Sequence, residues 1–347
     1  MLTLDPGTIA SITTPVGTSW LLGSCMEARG KQDLWLIQKP EVIEVLKEQA
    51  IIQSAESSNR IEGITVAPER LRPVMQGKVK PRDRSEEELL GYRQAMNWIF
   101  TRRRLVEIDP AVILKLHSFS QSATIGDAGE WKSRDNEIIE ILPNGERKVR
   151  FIPTPARQTP DTMDALCGNY RTIRDEELLP PLLNIATFIF DLLCIHPFRD
   201  GNGRVSRLAT TLVLESYGFI VPRFISLERL IEETRDDYYE VLERCSQGWH
   251  EGTNEIVPWW NYFLGTVRRA YREFEQKIEA MDSRPTKSDL IRQTISDLVE
   301  EFTLSDLVAQ LPSVSPQLIK KVLGDLKAEG LVQLQGRGRG AAWRVIR

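Results

Sequence analysis

The chain has 347 residues, of which 41% are hydrophobic and 27% charged, and a formal net charge of −4. That balance is typical of a soluble globular protein with room for two or three domains at roughly 100–200 residues each. It argues against whole-protein attraction to nucleic acid or anionic lipid, leaving only local basic patches to consider. Cys25, Cys167, Cys194 and Cys245 are scattered without CxxC spacing, and three histidines are too few to complete a Cys/His zinc signature. The cysteines read as small buried hydrophobes of a reducing compartment. Asp5 is the first charge and no basic residue precedes Arg29, so no secretory leader is expected. The longest apolar run, residues 178–190, holds two prolines and is shorter than the roughly 18 residues of a membrane span. A cytoplasmic protein with no membrane partner is the expectation.

In chain order, residues 1–30 are punctuated by Thr, Gly and Pro and read as an irregular lead-in. Residues 40–59 repeat Val42, Ile43, Val45, Leu46, Ala50 and Ile51 at helical spacing after an acidic first turn, and Gly63 supplies the stop. A helix over 85–104 is expected to start with Ser85 as N-cap and Glu88 closing a capping box. A third spans 110–122. Residues 137–142 and 148–152 then alternate as two short strands around Asn144-Gly145, which predicts a β-hairpin. Helical patterns resume at 160–175, 180–196, 203–217, 235–247 and 256–280. The body is therefore mainly α. After a polar linker at 281–287, helices at 288–300, 303–310 and 315–329 precede two short strand-like runs around Gly336-Arg-Gly-Arg-Gly340, an order resembling a winged helix-turn-helix. The expected partition is an N-terminal helical region over 1–108, a central domain over 109–280, the linker, and a C-terminal domain over 288–347. No internal repeat is present.

The most informative stretch is Ile195-His-Pro-Phe-Arg-Asp-Gly-Asn-Gly-Arg-Val-Ser-Arg207. His196 closes an apolar helix that Pro197 breaks. Gly201 and Gly203 let the backbone turn tightly and approach a ligand. The next helix starts near Asn202, so its free N–H groups and positive dipole end make an anion site. Arg204 and Arg207 are three apart on that helix. Asp200 is a lone carboxylate beside this positive nest, which suits Mg²⁺ shared with phosphate oxygens. Together they read as a cradle for a Mg-nucleoside triphosphate with one imidazole at its rim.

Here the sequence resembles the Fic family, whose motif HxFx(D/E)GNGRxxR is matched at His196, Phe198, Asp200, Gly201, Asn202, Gly203, Arg204 and Arg207. The resemblance covers roughly residues 40–265 and implies a Fic-type helical domain with a β-hairpin flap. It implies a protein adenylyltransferase that uses ATP and Mg²⁺. His196 would deprotonate a Ser, Thr or Tyr hydroxyl of a target protein, which attacks the α-phosphate of ATP. Asp200 would hold Mg²⁺, and Asn202 with the loop amides through Val205 and Ser206 would hold phosphates. Arg204 and Arg207 would hold the β/γ end. Phe198 reads as core, and His117 and His250 as structural.

Ser58-Asn-Arg-Ile-Glu62-Gly63 fits the inhibitory (S/T)xxxE(G/N) motif of many Fic proteins. Ser58 and Glu62 share a helix face, and the resemblance implies that Glu62 pairs with Arg207 in cis, taking the guanidinium from the γ-phosphate. The hairpin would be the flap that pairs edge-to-edge with the target, with Ile138, Ile139, Glu140 and Ile141 on its edge. Family members usually have small residues there. Tyr238 and Tyr239 resemble a YYxxL segment beside the adenine, whereas an Asn found in some relatives is Ser246 here.

In the tail, Lys320, Lys321, Lys327, Arg337, Arg339, Arg344 and Arg347 outnumber Glu301, Asp306, Asp325 and Glu329. A helix-turn-helix reading places Lys320 and Lys321 on the recognition helix and Arg337 and Arg339 in the wing, which leaves DNA or protein as the partner. Homodimerisation is a family-level expectation. Two other readings use the same residues: removal of AMP, with Glu62 positioning a water, and a DNA-binding regulator whose Fic domain senses nucleotide. Phosphocholine transfer and phosphorylation fit Asp200 and the two arginines less well.

Overall fold

In the computed structural model the described residues are 2–38, 40–101, 106–121, 127–141, 145–282, 287–296, 301–311, 314–336 and 341–346. Asn144 of the expected turn, linker residues 283–286, and Arg337, Arg339 and Arg347 lie outside them, as do the side chains of Val42, Ile43 and Val45. Two compact units are formed, Met1–Glu275 and Gln276–Arg347. Among the described residues no helix is long and apolar enough to cross a membrane.

The first unit begins with α1 (Pro6–Ile9) and α2 (Val16–Gln38), followed by α3 (Pro40–Ile61), α4 (Pro68–Met75), α5 (Arg84–Phe100) and α6 (Pro110–Ser120). The hairpin β1 (Ile138–Ile141) and β2 (Arg147–Phe151) comes next. Then follow α7 (Thr159–Asp175), α8 (Pro181–Ile195), α9 (Asn202–Ser216), α10 (Leu227–Glu233), α11 (Arg235–Ser246) and α12 (Val257–Asp282), which runs past the unit boundary at Glu275. Short 3₁₀ turns sit at Ala156–Gln158 and Val221–Arg223.

The centre of this unit is α8, buried at every position from Leu182 to Ile195. A helix apolar on all sides belongs inside a bundle, and α7 and α9 pack against it. Two of its polar side chains tie it to other elements. Asp191 accepts from the main-chain N–H of Leu4 at 2.7 Å and from Trp249 Nε1 at 2.7 Å, and Trp260 Nε1 donates to Thr187 Oγ1 at 2.9 Å.

Two expectations need correction. Residues 16–30 are not irregular but belong to α2, which runs to Gln38. Its buried positions are Thr18, Cys25 and Gln32, seven residues apart, while Val16, Trp20 and Leu34 are exposed. Thr18 Oγ1 donates to Asn261 Oδ1 at 2.7 Å, and Gln32 Nε2 to the Gly218 carbonyl at 2.7 Å. The helix docks through small and polar groups, so hydrophobic periodicity does not reveal it. The second correction concerns α5, which is capped by Asp83, whose side chain accepts from the Glu86 N–H at 3.0 Å, and not by Ser85. Glu88 is thereby free for another partner. The short helices α1, α4 and α10 add to the expected set.

Helix α3 stops where expected. Gly63 takes φ 78°, and the N–H of Ile64 returns to the Asn59 carbonyl at 2.9 Å. Arg60, in its last turn, pairs with Glu232 of α10 through Nε at 2.6 Å and Nη2 at 2.9 Å, which fixes the end of α3.

The second unit holds α13 (Lys287–Ser296), α14 (Leu304–Gln310), α15 (Pro316–Ala328) and the antiparallel strands β3 (Val332–Gln335) and β4 (Ala342–Val345). Phe302 bridges to Trp343 beside that pair. Thr303 and Asp306 form a reciprocal capping box on α14, and Ser315 caps α15. Ile291, Ile295, Leu307, Ile319, Leu323 and Val332 are among the residues of its own apolar core. Lys320, Lys321 and Arg344 are exposed.

Candidate active site

The site is built where α8 stops. His196 caps the helix in the left-handed conformation, φ 50° and ψ 60°, a strain of roughly 1–2 kcal/mol for a residue with a Cβ. Pro197 disfavours the right-handed alternative for the residue before it. The imidazole Nδ1 lies 3.2 Å from the Leu193 carbonyl. A carbonyl only accepts, so Nδ1 carries the proton of the neutral ring and Nε2 keeps its lone pair. Burial pushes the imidazole pKa down to about 4; the Leu193 hydrogen bond opposes this and the Lys132 ammonium reinforces it. At neutral pH the ring is an uncharged base.

The following loop is held from below. Asn202 Oδ1 accepts from the Phe198 N–H at 2.9 Å, and its Nδ2 donates to the Phe198 carbonyl at 2.8 Å. His117 stacks on Phe198 with ring centroids 3.8 Å apart. The Gly129 N–H donates to His117 Nδ1 at 2.9 Å, so Nε2–H is the donor to the Asp200 carbonyl at 3.2 Å. Gly201, φ 80°, caps α9, and a β-carbon there would lie 2.5 Å from Gln121 Nε2. The chain turns in that space into α9, whose first turn reaches the cavity at Gly203; a helix N-terminus with free N–H groups is an arrangement that binds anions.

Four charges close a ring behind the loop. Arg204 Nη1 contacts Glu88 Oε2 at 2.6 Å, and Arg84 Nε contacts Glu88 Oε1 at 2.5 Å. Arg84 Nη2 then reaches Asp200 Oδ2 at 3.2 Å, and Arg204 Nη2 lies 3.7 Å from Asp200 Oδ1. Arg204 and Glu88 are each 1% exposed, whereas Asp200 is 57% exposed at the rim.

Arg207 points toward α3. Its Nε donates to Ser58 Oγ at 2.9 Å, and its Nη2 donates to the Ser58 carbonyl at 2.9 Å and to Glu62 Oε1 at 2.7 Å. Burial opposes the guanidinium charge, but Glu62 and the neighbouring tyrosines outweigh it and push the pKa up. Arg207 Nη1 has no hydrogen-bond partner. A β-carbon on Gly203 would lie 2.1 Å from Glu62 Oε1. The Glu62 carboxylate thus rests on the first turn of α9.

One cavity gathers these groups. Glu62, His196, Gly203 and Arg207 line one end, with Tyr238 and Tyr239 beside them. Leu193 and Cys194 of α8, Leu242, Glu243 and Ser246 of α11, and Ile138, Arg150 and Phe151 of the hairpin complete the wall. The hairpin is tied to α11 by Lys148 Nζ–Glu243 Oε1 at 3.1 Å, and Arg150 bridges Glu243 and Glu140.

Not every expected residue reaches this cavity. Of the hairpin edge, Ile138 is on the wall, while Ile139, Glu140 and Ile141 are not among the lining residues. The side chains of Arg204, Val205 and Ser206 are buried, and Ser206 Oγ donates to the Gly203 carbonyl at 2.8 Å. Arg204 therefore faces Glu88 instead of the cavity. Sequence reasoning missed Arg150, Phe151, Leu242 and Glu243. The strand register, with Phe151 opposite Ile138, and the helical spacing from Tyr239 through Leu242 to Ser246 were the available signals.

Residues 107–214 match the Fic/DOC family model. A protein adenylyltransferase Fic of Nematostella vectensis is 25% identical over 210 residues, covering 58% of this chain and 44% of that protein. A Fido domain-containing protein of Dictyostelium discoideum is 40% identical over 91 residues, covering 26% of this chain and 59% of that protein. The chain thus spans less than two thirds of the length of these relatives. The crystal structure of a Fic family protein from Desulfovibrio desulfuricans G20 superposes with a TM-score of 0.64 at 21% identity, covering 96% of this chain and 97% of that one. A Fic domain containing signaling protein from Bacteroides thetaiotaomicron VPI-5482 gives 0.63 at 22% identity over 74% and 97%. The loop and the helix that delivers His196 lie inside the matched span, as does all but the end of the helix that follows, so residues 107–214 are similar to a Fic/DOC domain.

Proposed function

We propose that the protein transfers AMP from ATP to a Ser, Thr or Tyr hydroxyl of a target protein, and that Glu62 restrains the reaction in cis. The observation that carries the reading is a neutral imidazole, Nδ1 tied to Leu193, sharing one cavity with the N-terminus of α9 and Arg207. Relatives named protein adenylyltransferase Fic support it. His196 Nε2 takes the proton of the target hydroxyl as its oxygen bonds to the α-phosphorus. The bond from that phosphorus to the bridging oxygen of the β-phosphate breaks, and pyrophosphate leaves with the electron pair. The α9 amides and Arg207 Nη1 stabilise the charge on the phosphates.

Among the described residues no three His, Cys, Asp or Glu side chains converge on a metal position. Asp200, a single exposed carboxylate at the loop rim, fits instead an Mg²⁺ that arrives with its triphosphate and keeps water and phosphate oxygens as its other ligands. Such an ion would neutralise phosphate charge.

Glu62 holds Arg207 and crowds Gly203, so the seat for the terminal phosphates is contested. The same carboxylate, opening into the cavity near His196, favours as a second reading a water-directed removal of AMP. The C-terminal unit is read as a winged helix-turn-helix, with α15 presenting Lys320 and Lys321 to DNA or to a protein. Incubation with α-phosphate-labelled and γ-phosphate-labelled ATP, run beside a gel shift, tests the assignment. Label from the α-position alone on protein supports AMP transfer, label from the γ-position alone would mean phosphorylation, and a shift without label would favour the regulator.

A further inference from the structure

We propose that Lys132 and Asn136, on the segment leading into the flap, are positioning residues that fix His196 by clamping the four consecutive carbonyls of the turn that carries it. The inference rests on the reading of His196 as the base. Lys132 Nζ donates to the Ile195 carbonyl at 3.1 Å, and the Lys132 main-chain N–H donates to the Pro197 carbonyl at 2.9 Å. Asn136 Nδ2 donates to the Phe198 carbonyl at 3.0 Å and to the His196 carbonyl at 3.5 Å. Lys132 Nζ also donates to Asn136 Oδ1 at 2.8 Å, which orients the carboxamide with its N–H groups toward the turn.

The last carbonyls of a helix have no intrahelical partner, and the end of α8 is buried away from water. A cation there also meets the negative end of the helix dipole. These two facts explain why a lysine only 5% exposed is tolerated, even though burial lowers its pKa to about 8. The left-handed turn at His196 is a conformation that persists only when its surroundings over-determine it. Lys132 and Asn136 supply that determination from outside the loop. The same segment enters β1 two residues later at Ile138, on the cavity wall, so one stretch of chain sets both the base and the flap edge.

Lys132 also acts on the ring by charge. Its ammonium disfavours the imidazolium, while Glu62 from α3 and Asp200 from the loop favour it. The test uses the full-length protein with ¹³C-labelled histidine. Its three histidines keep the spectrum simple, and His196→Ala identifies the signal of interest. Lys132→Met should raise the His196 pKa above about 4 and lower kcat on the order of 10²-fold, the cost of displacing a catalytic group by about 1 Å. KM for ATP should stay within about two-fold.

Lys132→Arg, which keeps charge and donors, should restore most of both. Asn136→Ala should lower kcat without raising the pKa, because the ammonium remains. A folded Lys132→Met with unchanged titration and kcat would overturn the clamp, as would a rise in KM alone. Should Lys132→Met fail to fold, Asn136→Ala decides on the same kcat and KM readout. Normal transfer by His196→Ala would instead overturn the base reading, and the His196 titration tests the clamp in either case.

Discussion

The Glu62 carboxylate lies 2.7 Å from Arg207 Nη2 and so close over Gly203 that a β-carbon there would stand 2.1 Å from it. One side chain thereby engages a buried guanidinium and crowds the helix N-terminus that would receive an anion. Glu62→Gly should raise AMP transfer. A charge-assisted hydrogen bond contributes about 1.5–3 kcal/mol, so the expected gain is about 10- to 100-fold. The change should leave folding intact, because Glu62 follows the last residue of α3 and is 30% exposed. Arg207→Ala also releases Glu62 but removes the proposed phosphate ligand, and should stay inactive. Unchanged or slower transfer by folded Glu62→Gly at saturating ATP would end the inhibitory assignment.

The His196 imidazole, half-buried in the cavity wall and poorly solvated there, sets an unusual pH profile. A base with its pKa lowered to about 4 by burial stays unprotonated down to that pH. Since Glu62 favours the imidazolium, Glu62→Gly should move the value lower, not higher. The kcat of that variant should therefore be flat from about pH 7 to about pH 5, and its acid limb should fall near or below 4. An acid limb at the ordinary histidine value, about 6.5, would show that the ring is solvated during turnover.

Asp200 is tested by comparing two ligands. Asp200→Ala should weaken Mg-ATP binding measured by calorimetry and leave adenosine binding nearly unchanged, because only the triphosphate brings an ion to the carboxylate. Equal changes for both ligands would remove Asp200 from the metal-binding role. The substitution leaves Arg84 paired with Glu88; its exposed contact with Asp200 at 3.2 Å adds at most about 1 kcal/mol, and the Gly201 N–H loses its acceptor at 2.6 Å, so only a small loss of stability is expected.

Much of this architecture is legible in the sequence because its signals are local. Pro197 after an apolar helix, glycines at 201 and 203, and Gly145 between alternating residues each dictate backbone geometry within a few positions. Gly63 ends α3 for the same reason. What escapes the sequence is contact made at long range or by unexpected chemistry. Helix α2 docks through Thr18, Cys25 and Gln32, a polar stripe that a hydrophobic pattern does not mark. Glu88 looks like part of a cap but reaches across to Arg204, 116 residues away. Lys132 and Asn136 look like ordinary loop residues until α8 is placed beside them. The motif supplies residue types, and burial decides which of them face the cavity.

Arg204 shows that distinction most sharply, and it makes the last prediction. In the motif it stands beside Arg207 as a second phosphate-binding cation, yet it is 1% exposed and paired with Glu88, equally buried, at 2.6 Å. Removing one member of a buried ion pair leaves the other charge unpaired, which destabilises by about 3–5 kcal/mol. Glu88→Gln and Arg204→Met should therefore each lower Tm by several degrees and increase urea sensitivity. Replacing both members with apolar residues of similar size removes the unpaired charge, so the double variant Glu88→Leu/Arg204→Met should recover much of the lost stability. It should not recover activity, because Arg204 also stands 3.7 Å from Asp200 and the pair supports the loop from beneath. If Arg204 instead worked by binding phosphate, Arg204→Met would weaken ATP binding with little change in Tm. Melting curves and ATP titrations on the three variants separate these outcomes, since the buried pair predicts recovery of Tm in the double variant and the phosphate role predicts none.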